Sequence, residues 1–399
     1  MTSTTMTEDR PGAVTSQLDP YSDAFLSEPF SHEQTLRDAG PLIWLPQYGA
    51  YAMARYDQVH HALNDTDTFS SGKGVGIETR PEGEPPNILM SDDPLHSALR
   101  RVHNKVLNPA YIRGLRATFR ESAEGLIDPL VGAGPVDGIG DLAVAFPLSV
   151  FPDMVGVRKD GRENLLKAAS LTFNSFGPQN RLRQAAQQEG PQAMGWLWEQ
   201  TAPGATADGV GQHIHEVAAD QGLHEMIARG LVAGLLIPGL DTTMHGLGLA
   251  LYYLATNPDQ WQLLKADPSR ARAAFEEAVR LGSPVQTFAR VATRDVEVAP
   301  GSTIPEGERV LLFLGSANRD PRRWDAPEAY DISRVTSGHV GFGSGGHSCS
   351  GQNIARMEAE CILGVLAERA SSISLAGEPV YELNNSLRGF RSLPIRIDA

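Results

Sequence analysis

Cysteine is nearly absent: 399 residues contain two, Cys349 and Cys361. Two cysteines build no disulfide framework, and a reducing, cytoplasmic setting is expected. No further Cys or His stands at ligand spacing from Cys349, so a zinc site is a poor reading. Positive charge is also short. Lys and Arg number 34 against 48 Asp and Glu, a net charge of −14. That balance argues against wrapping nucleic acid or lying on an anionic membrane, and neither partner is expected. Long apolar runs are missing too. The longest, around Leu231–Leu240, is broken by Pro238 and by Gly234 and Gly239, and reads as too short to span a bilayer. The first residues lack the apolar stretch of a secretory signal. No G-x-G-x-x-G unit follows a strand pattern, so a built-in dinucleotide domain is not expected.

What is present suits a packed, loop-rich domain: 41% hydrophobic residues, 40 Gly and 27 Pro. Residues 1–17 read as a flexible tail and 18–399 as a single domain, with no linker and no internal repeat. Pro41–Pro46 and Tyr51–Ala54 read as short strands around a Gly49 turn, and Asp57–Asn64 as a helix. Ser70–Pro86 is loop, dense in Gly and Pro. Beyond Asp93-Pro94 the pattern is mostly helical past Ala274, and Val291–Val298 and Arg309–Phe313 return to strand. The expected class is mainly α (α+β), helix-rich with small β-sheets.

One helix, Leu223–Thr256, is apolar on most faces and ends at Asn257-Pro258. Such a helix runs through the centre of a protein. Yet its middle holds Pro238, Gly239, Asp241 and Thr242. Pro238 cannot donate to the carbonyl of Gly234 and is expected to bend the helix. Polar groups at that point serve chemistry, or Thr242 simply bonds back to a carbonyl one turn earlier.

The sharpest signal is Gly341–Gly351, GFGSGGHSCSG, followed by an amphipathic run Gln352–Glu368. Cys349 thus stands just before a helix N-terminus, where oriented amides favour a thiolate. The glycines let backbone approach something large and flat. Phe342-Gly343-x-Gly345-x-His347-x-Cys349-x-Gly351 resembles the haem-binding signature of the cytochrome P-450 family. The resemblance extends over nearly the whole chain. Gly239-x-Asp241-Thr242 matches the oxygen-activating segment of the family's central helix. Glu277-Ala278-Val279-Arg280 matches its E-x-x-R pair. Asp93-Pro94-Leu95-His96 with Arg100, and Arg290, match its remaining haem-side positions. Two departures are visible: Pro238 where the family usually has Ala, and Ala329 where it often has Arg. Arg334 is the expected stand-in for the latter.

The resemblance implies haem b (iron protoporphyrin IX) between the long central helix and the cysteine loop. Cys349 is the implied iron ligand, with Phe342, Gly343 and Gly351 around it. His96, Arg100, Arg290 and His347 are the implied propionate partners. Asp241 and Thr242 are the implied proton-delivery pair. Glu277 and Arg280 read as a structural ion pair rather than catalytic groups. The implied partners are O2 and an iron–sulfur ferredoxin with an NAD(P)H-dependent reductase. Arg100, Arg101, Lys105, Arg113 and Arg356 are candidates for a basic docking face.

Four stretches are similar to the branch that demethylates para-substituted benzoates: Phe146–Asp153, Phe173–Pro178, Ser283–Phe288 and Gly315–Asp325. There Phe173, Phe176 and Phe288 would clamp a planar ring, with Val285 and Pro238 beside it; ordinary aromatic core is the alternative. The branch anchors a carboxylate at positions that are Glu84, Asn87, Gly234 and Ile237 here. Glu84 would repel a carboxylate, so a neutral methoxyphenol or alkylphenol is expected. A benzoate held by other residues, Arg80 among them, is one alternative. A non-catalytic haem-thiolate sensor is another.

Overall fold

The computed structural model describes residues 10, 12–80, 83, 87–206 and 208–399. Glu84 therefore lies outside the described residues. The chain folds as a helix-rich α+β protein with four small sheets. Its largest sheet has six strands, β1 (Val14–Thr15), β2 (Ile43–Leu45), β3 (Ala50–Met53), β4 (Phe69–Ser70), β6 (Thr287–Ala292) and β9 (Arg309–Phe313). Their spatial order is β1-β2-β3-β9-β6-β4. Part of the segment read as a flexible tail is thus a parallel edge strand: Val14 pairs with Ile43 and Thr15 with Trp44. A two-residue strand has no periodicity to read, and the neighbouring strand alone defines it. The smaller sheets are β5 (Pro135–Asp137) with β13 (Pro394–Asp398) and β10 (Ser372–Leu375); β7 (Val296–Ala299) with β8 (Ser302–Ile304); and β11 (Val380–Leu383) with β12 (Arg388–Ser392).

The helices run in the following order along the chain. α1 (Asp23–Ser27), α2 (Pro29–Ala39) and α3 (Tyr56–Asn64) lie among the first strands. α4 (Leu95–Val106), α5 (Pro109–Ile127), α6 (Ala145–Val155), α7 (Glu163–Ser175), α8 (Arg181–Gln200) and α9 (Val210–Asp220) lead to α10 (Glu225–Thr256). After it come α11 (Pro258–Ala266), α12 (Ala271–Gly282), α13 (Leu314–Ala317) and, behind the cysteine loop, α14 (Gln352–Arg369).

α10 is the axis of the largest apolar core, packing against α6, α7, α9, α12 and strands β10 and β12. By length and hydropathy alone, α10 and the stretch Gly138–Val155 are long and apolar enough to cross a membrane. Here both supply core side chains instead. α10 begins two residues later than its apolar pattern, because the His224 imidazole caps it by accepting from the Met226 N–H. The helix continues without a break through Pro238. Gly239 is required there: a Cβ would stand 2.2 Å from the ring of Phe151 on α6.

Candidate haem-thiolate site

Cys349 sits in a loop that local backbone bonding shapes. Gly343 and Gly345 take positive φ of 69° and 65°, a region that suits glycine. The Gly343 N–H donates to Val340 O (2.9 Å), Ser348 N–H to Gly345 O (3.1 Å) and Cys349 N–H to Phe342 O (2.8 Å). α14 starts three residues after the cysteine, with Gly351 at its N-cap. Cys349 is accessible, yet its sulfur is set among enough protein that burial pushes the thiol up. The backbone amides of Gly351 and Gln352 and the charges of Arg100 and Arg356 pull the other way without winning. The helix terminus alone therefore does not make a thiolate; a bound metal ion does so outright. Cys361 is a core residue of α14, its thiol pushed by burial to about 11.

Four cationic or imidazole side chains converge beside this loop from three segments. The His96 ring (α4) and the His347 ring (cysteine loop) lie 3.9 Å apart. Arg100 Nη1 donates to Ser348 O at 2.5 Å. Arg290 (β6) is 2% exposed. Its Nη1 reaches only the Ala289 carbonyl, and its Nε, like His96 Nε2, is buried without a partner among the described residues. Burial, with His96 and Arg290 nearby, drives His347 down to about 3, and burial drives Arg290 down to about 10. Asp93 Oδ1 stands 3.9 Å from His96 Nδ1, and Asp92, the acid that acts on Arg290 and His347, is engaged by Ser70 Oγ and by the Ser71 and Gly72 N–H groups. Orphaned donors with no matching anion fit a ligand that brings two carboxylates of its own, as haem does.

On α10, Thr242 Oγ1 donates to Pro238 O at 2.7 Å, the back-bond of the plainer reading. Asp241 is 8% exposed and burial raises its carboxyl to about 7. One turn on, His245 Nε2 stands 3.4 Å from Asp241 Oδ1. Phe173, Phe176 and Phe288 meet in one apolar cluster, with ring centroids 5.8 and 6.0 Å apart along the series. Val285 and Ile237 pack against the same cluster. Gly234 instead faces Ile88, whose Cγ2 is 3.3 Å from where a Cβ would be. Asn87 Oδ1 accepts from the Leu89 and Met90 N–H groups and so shapes the loop. Arg80 Nη1 donates to Met90 O at 2.9 Å.

Glu277 and Arg280 on α12 are both fully buried and form a bidentate pair at 2.7 and 2.8 Å. The remaining Arg280 donors reach the carbonyls of Asn318, Pro327 and Ala329. Of the candidate docking charges, Arg101, Lys105 and Arg113 are exposed and Arg100 is half-buried. Arg356 is committed internally, bonded to Glu276 and Gln352 and lying over the Phe342 ring at 4.6 Å. Burial would raise Glu276, but hydrogen bonds from His339 and Arg356 outweigh it and hold the carboxyl at about 2. A cavity of about 690 Å³ opens between α12, residues 336–339 and the cysteine loop, lined by Arg272, Glu276, Phe342, Gln352 and Arg356 among others.

Two residues escaped the sequence reading. His103 joins three parts of the site, with Nε2 3.1 Å from Leu231 O and Nδ1 3.3 Å from Ser350 Oγ. Asn318 ties the Val340 N–H to Ser283 Oγ. Both act across long sequence separations, and no local pattern announces them.

A cysteine loop at a helix N-terminus, the unpartnered Arg290 Nε and His96 Nε2 beside it and an adjacent acid and alcohol on the core helix fit a haem-thiolate protein. Comparison with known proteins agrees. Residues 271–371 match the family profile described as Cytochrome P450. The chain is 49% identical over 386 residues to cytochrome p450 CYP199A2 of Rhodopseudomonas palustris, covering 95% of this chain and 93% of that protein. It is 31% identical to cytochrome P450 107B1 of Saccharopolyspora erythraea, covering 87% and 89%. Among solved structures, P450BioI in complex with an acyl-carrier-protein-linked hexadecenoic acid superposes with TM-score 0.82 at 27% identity, covering 94% of this chain and 100% of that one. The chain belongs to the cytochrome P450 family. It is a haem-dependent monooxygenase.

Proposed function

We propose that this monooxygenase oxidises a small, neutral, para-substituted aromatic compound in the cytoplasm. The reaction is O-demethylation of an aryl methyl ether or hydroxylation of an alkyl substituent. The observation carrying this reading is the Phe173–Phe176–Phe288 cluster, which adjoins α10 through Ile237, one residue before Pro238. Aromatic rings at these separations and tilts favour a planar ring among them.

Haem bound through Cys349 supplies O2 activation and transfer of one oxygen atom to the substrate. The protein's residues do the rest. Cys349 provides the thiolate, and Phe342 with Gly343 and Gly351 shape its surroundings. Arg100 and Arg290 would neutralise two propionates, and His96 and His347 would donate hydrogen bonds to them and so fix the cofactor's orientation. The aromatic cluster aligns one C–H bond of the substrate and excludes water. Asp241 takes and gives a proton at its carboxylate, and an acid that titrates near about 7 serves both directions at neutral pH. Thr242 turns its hydroxyl from Pro238 O to hold a water for that transfer. For a methyl ether, the overall balance is ArOCH3 + O2 + 2 e− + 2 H+ giving ArOH, formaldehyde and water. The electrons come from an iron–sulfur ferredoxin and its NAD(P)H-dependent reductase. The ferredoxin docks against the exposed Arg101, Lys105 and Arg113.

A second reading has one observation in its favour. Arg80 bonds to the carbonyl of Met90, whose side chain packs against the aromatic cluster. A guanidinium there would hold a substrate carboxylate. Titration with 4-methoxyphenol and with 4-methoxybenzoate, read by the low- to high-spin absorbance shift, separates the two. Tighter binding of the phenol supports the neutral substrate. A stronger shift with the benzoate, lost in Arg80→Ala, overturns it.

A further inference from the structure

We propose that His245 and Glu382 form a proton inlet that joins solvent at the β11–β12 hairpin to Asp241. The proposal rests on the reading of Asp241 as the proton donor. His245 lies one helical turn beyond Asp241, with its Nε2 3.4 Å from Asp241 Oδ1, and is 4% exposed. The other side of its ring is pressed onto β12. A Cβ on Gly389 would stand 2.0 Å from His245 Nδ1, so the imidazole occupies the place of the side chain Gly389 lacks.

Strand register supplies the next link. Glu382 on β11 pairs directly with Gly389. Directly opposed residues on antiparallel strands point to the same face, with Cβ atoms about 4.5–5.5 Å apart. The Glu382 side chain therefore leaves the hairpin beside the imidazole that fills the Gly389 position. Glu382 lies at the surface with its carboxyl partly enclosed, and His245 and Asp241 are both buried, at 4% and 8% exposed. The charged groups facing the path are Asp241 from α10, Glu382 from β11 and Arg391 from β12, which acts on Glu382.

Burial disfavours the charged form of all three groups. Burial raises Asp241 to about 7 and also raises Glu382, with Asp241 adding and His245 opposing. Burial lowers His245, and the Glu382 charge opposes that. A raised carboxyl holds a proton more readily and a lowered imidazole releases one more readily, which suits passage of a proton from the ring to Asp241. In the transfer, Glu382 passes a solvent proton to His245 Nδ1, directly or through one water, and His245 Nε2 releases its proton to Asp241 Oδ1. One proton enters the ring for each that leaves, so its charge is unchanged.

The test uses holoenzyme. In the carbon-monoxide-bound ferrous form, the His245 ring resonance is titrated by NMR in the parent and in Glu382→Gln. Ferredoxin-driven turnover is measured in water and in D2O for the parent, Glu382→Gln, His245→Asn and the surface control Glu378→Gln. Glu382 is exposed, so its variant keeps the test alive should His245→Asn fail to fold. Expected in Glu382→Gln are a lowered His245 titration midpoint, turnover reduced by roughly tenfold and a larger D2O effect. Glu378→Gln should match the parent. An unchanged His245 midpoint or an unchanged D2O effect in Glu382→Gln overturns the inlet. Parent-level turnover in Asp241→Asn would instead overturn the proton-donor reading beneath it.

Discussion

Arg334 Nε lies 2.9 Å from Glu277 Oε1, the same oxygen that Arg280 Nη2 engages at 2.8 Å. One fully buried carboxylate thus holds two guanidiniums, one on its own helix and one from the loop that leads to Cys349. Arg334 fills the role left open by Ala329. Its remaining donors reach the carbonyls of Asp325 and Ala326. Arg334→Ala should cost about 1–3 kcal/mol in chemical denaturation. Arg280→Leu, which strands Glu277 without its main partner, should cost about 3–5 kcal/mol and impair haem uptake. Equal, small losses in both would mean that the network contributes little.

Glu358 on α14 is fully buried, and neither carboxylate oxygen has a partner among the described residues. Burial lifts it from its ordinary 4.5 to about 8. The folded state then binds the proton more tightly than the unfolded chain. Its stabilising contribution is complete below about 4.5 and is lost as pH rises through about 8. Glu358→Gln cannot ionise. Its stability advantage over the parent should grow by about 2–4 kcal/mol between about pH 4 and pH 8. A difference that stays flat with pH, read from urea midpoints, would contradict the burial argument.

Asp241→Asn should reduce turnover by about 10²-fold while leaving substrate-induced spectral shifts unchanged. Since the protonated carboxyl is the donor, a proton-limited rate in the parent should fall as pH rises through about 7. Thr242→Ala should raise hydrogen peroxide released per NADH consumed. Normal coupling in both variants would remove the acid–alcohol pair from the mechanism.

Phe288 is half-buried, so it is the member of the aromatic cluster whose loss the fold tolerates best. Phe288→Ala should weaken binding of 4-methoxyphenol by about 0.5–1.5 kcal/mol, some two- to twelvefold in Kd. Unaltered affinity would place the ring elsewhere.

The legible parts were those in which chemistry is local in sequence. The cysteine loop needs its glycines within a few residues of Cys349, and α10 declares itself by apolar residues on every face. The strands Ile43–Leu45, Ala50–Met53 and Arg309–Phe313 were visible in their apolar, strand-forming residues. What stayed hidden depends on contacts made by folding. Val14–Thr15 becomes a strand only because Ile43–Leu45 offers an edge. The part that Asn87 Oδ1 plays in shaping its loop, through two backbone amides, shows only in the fold. His245 gains its significance from Gly389, far along the chain, where the lack of a side chain makes room for a ring.

Cys349 as the axial thiolate underlies every role assigned to the site. The direct measurement is the carbon monoxide difference spectrum of the reduced holoprotein, compared with Cys349→Ser. Thiolate ligation predicts a Soret band at about 450 nm in the parent and its loss in the variant. A haem-loaded parent that never shows that band, or a Cys349→Ser variant that retains it, would contradict the assignment.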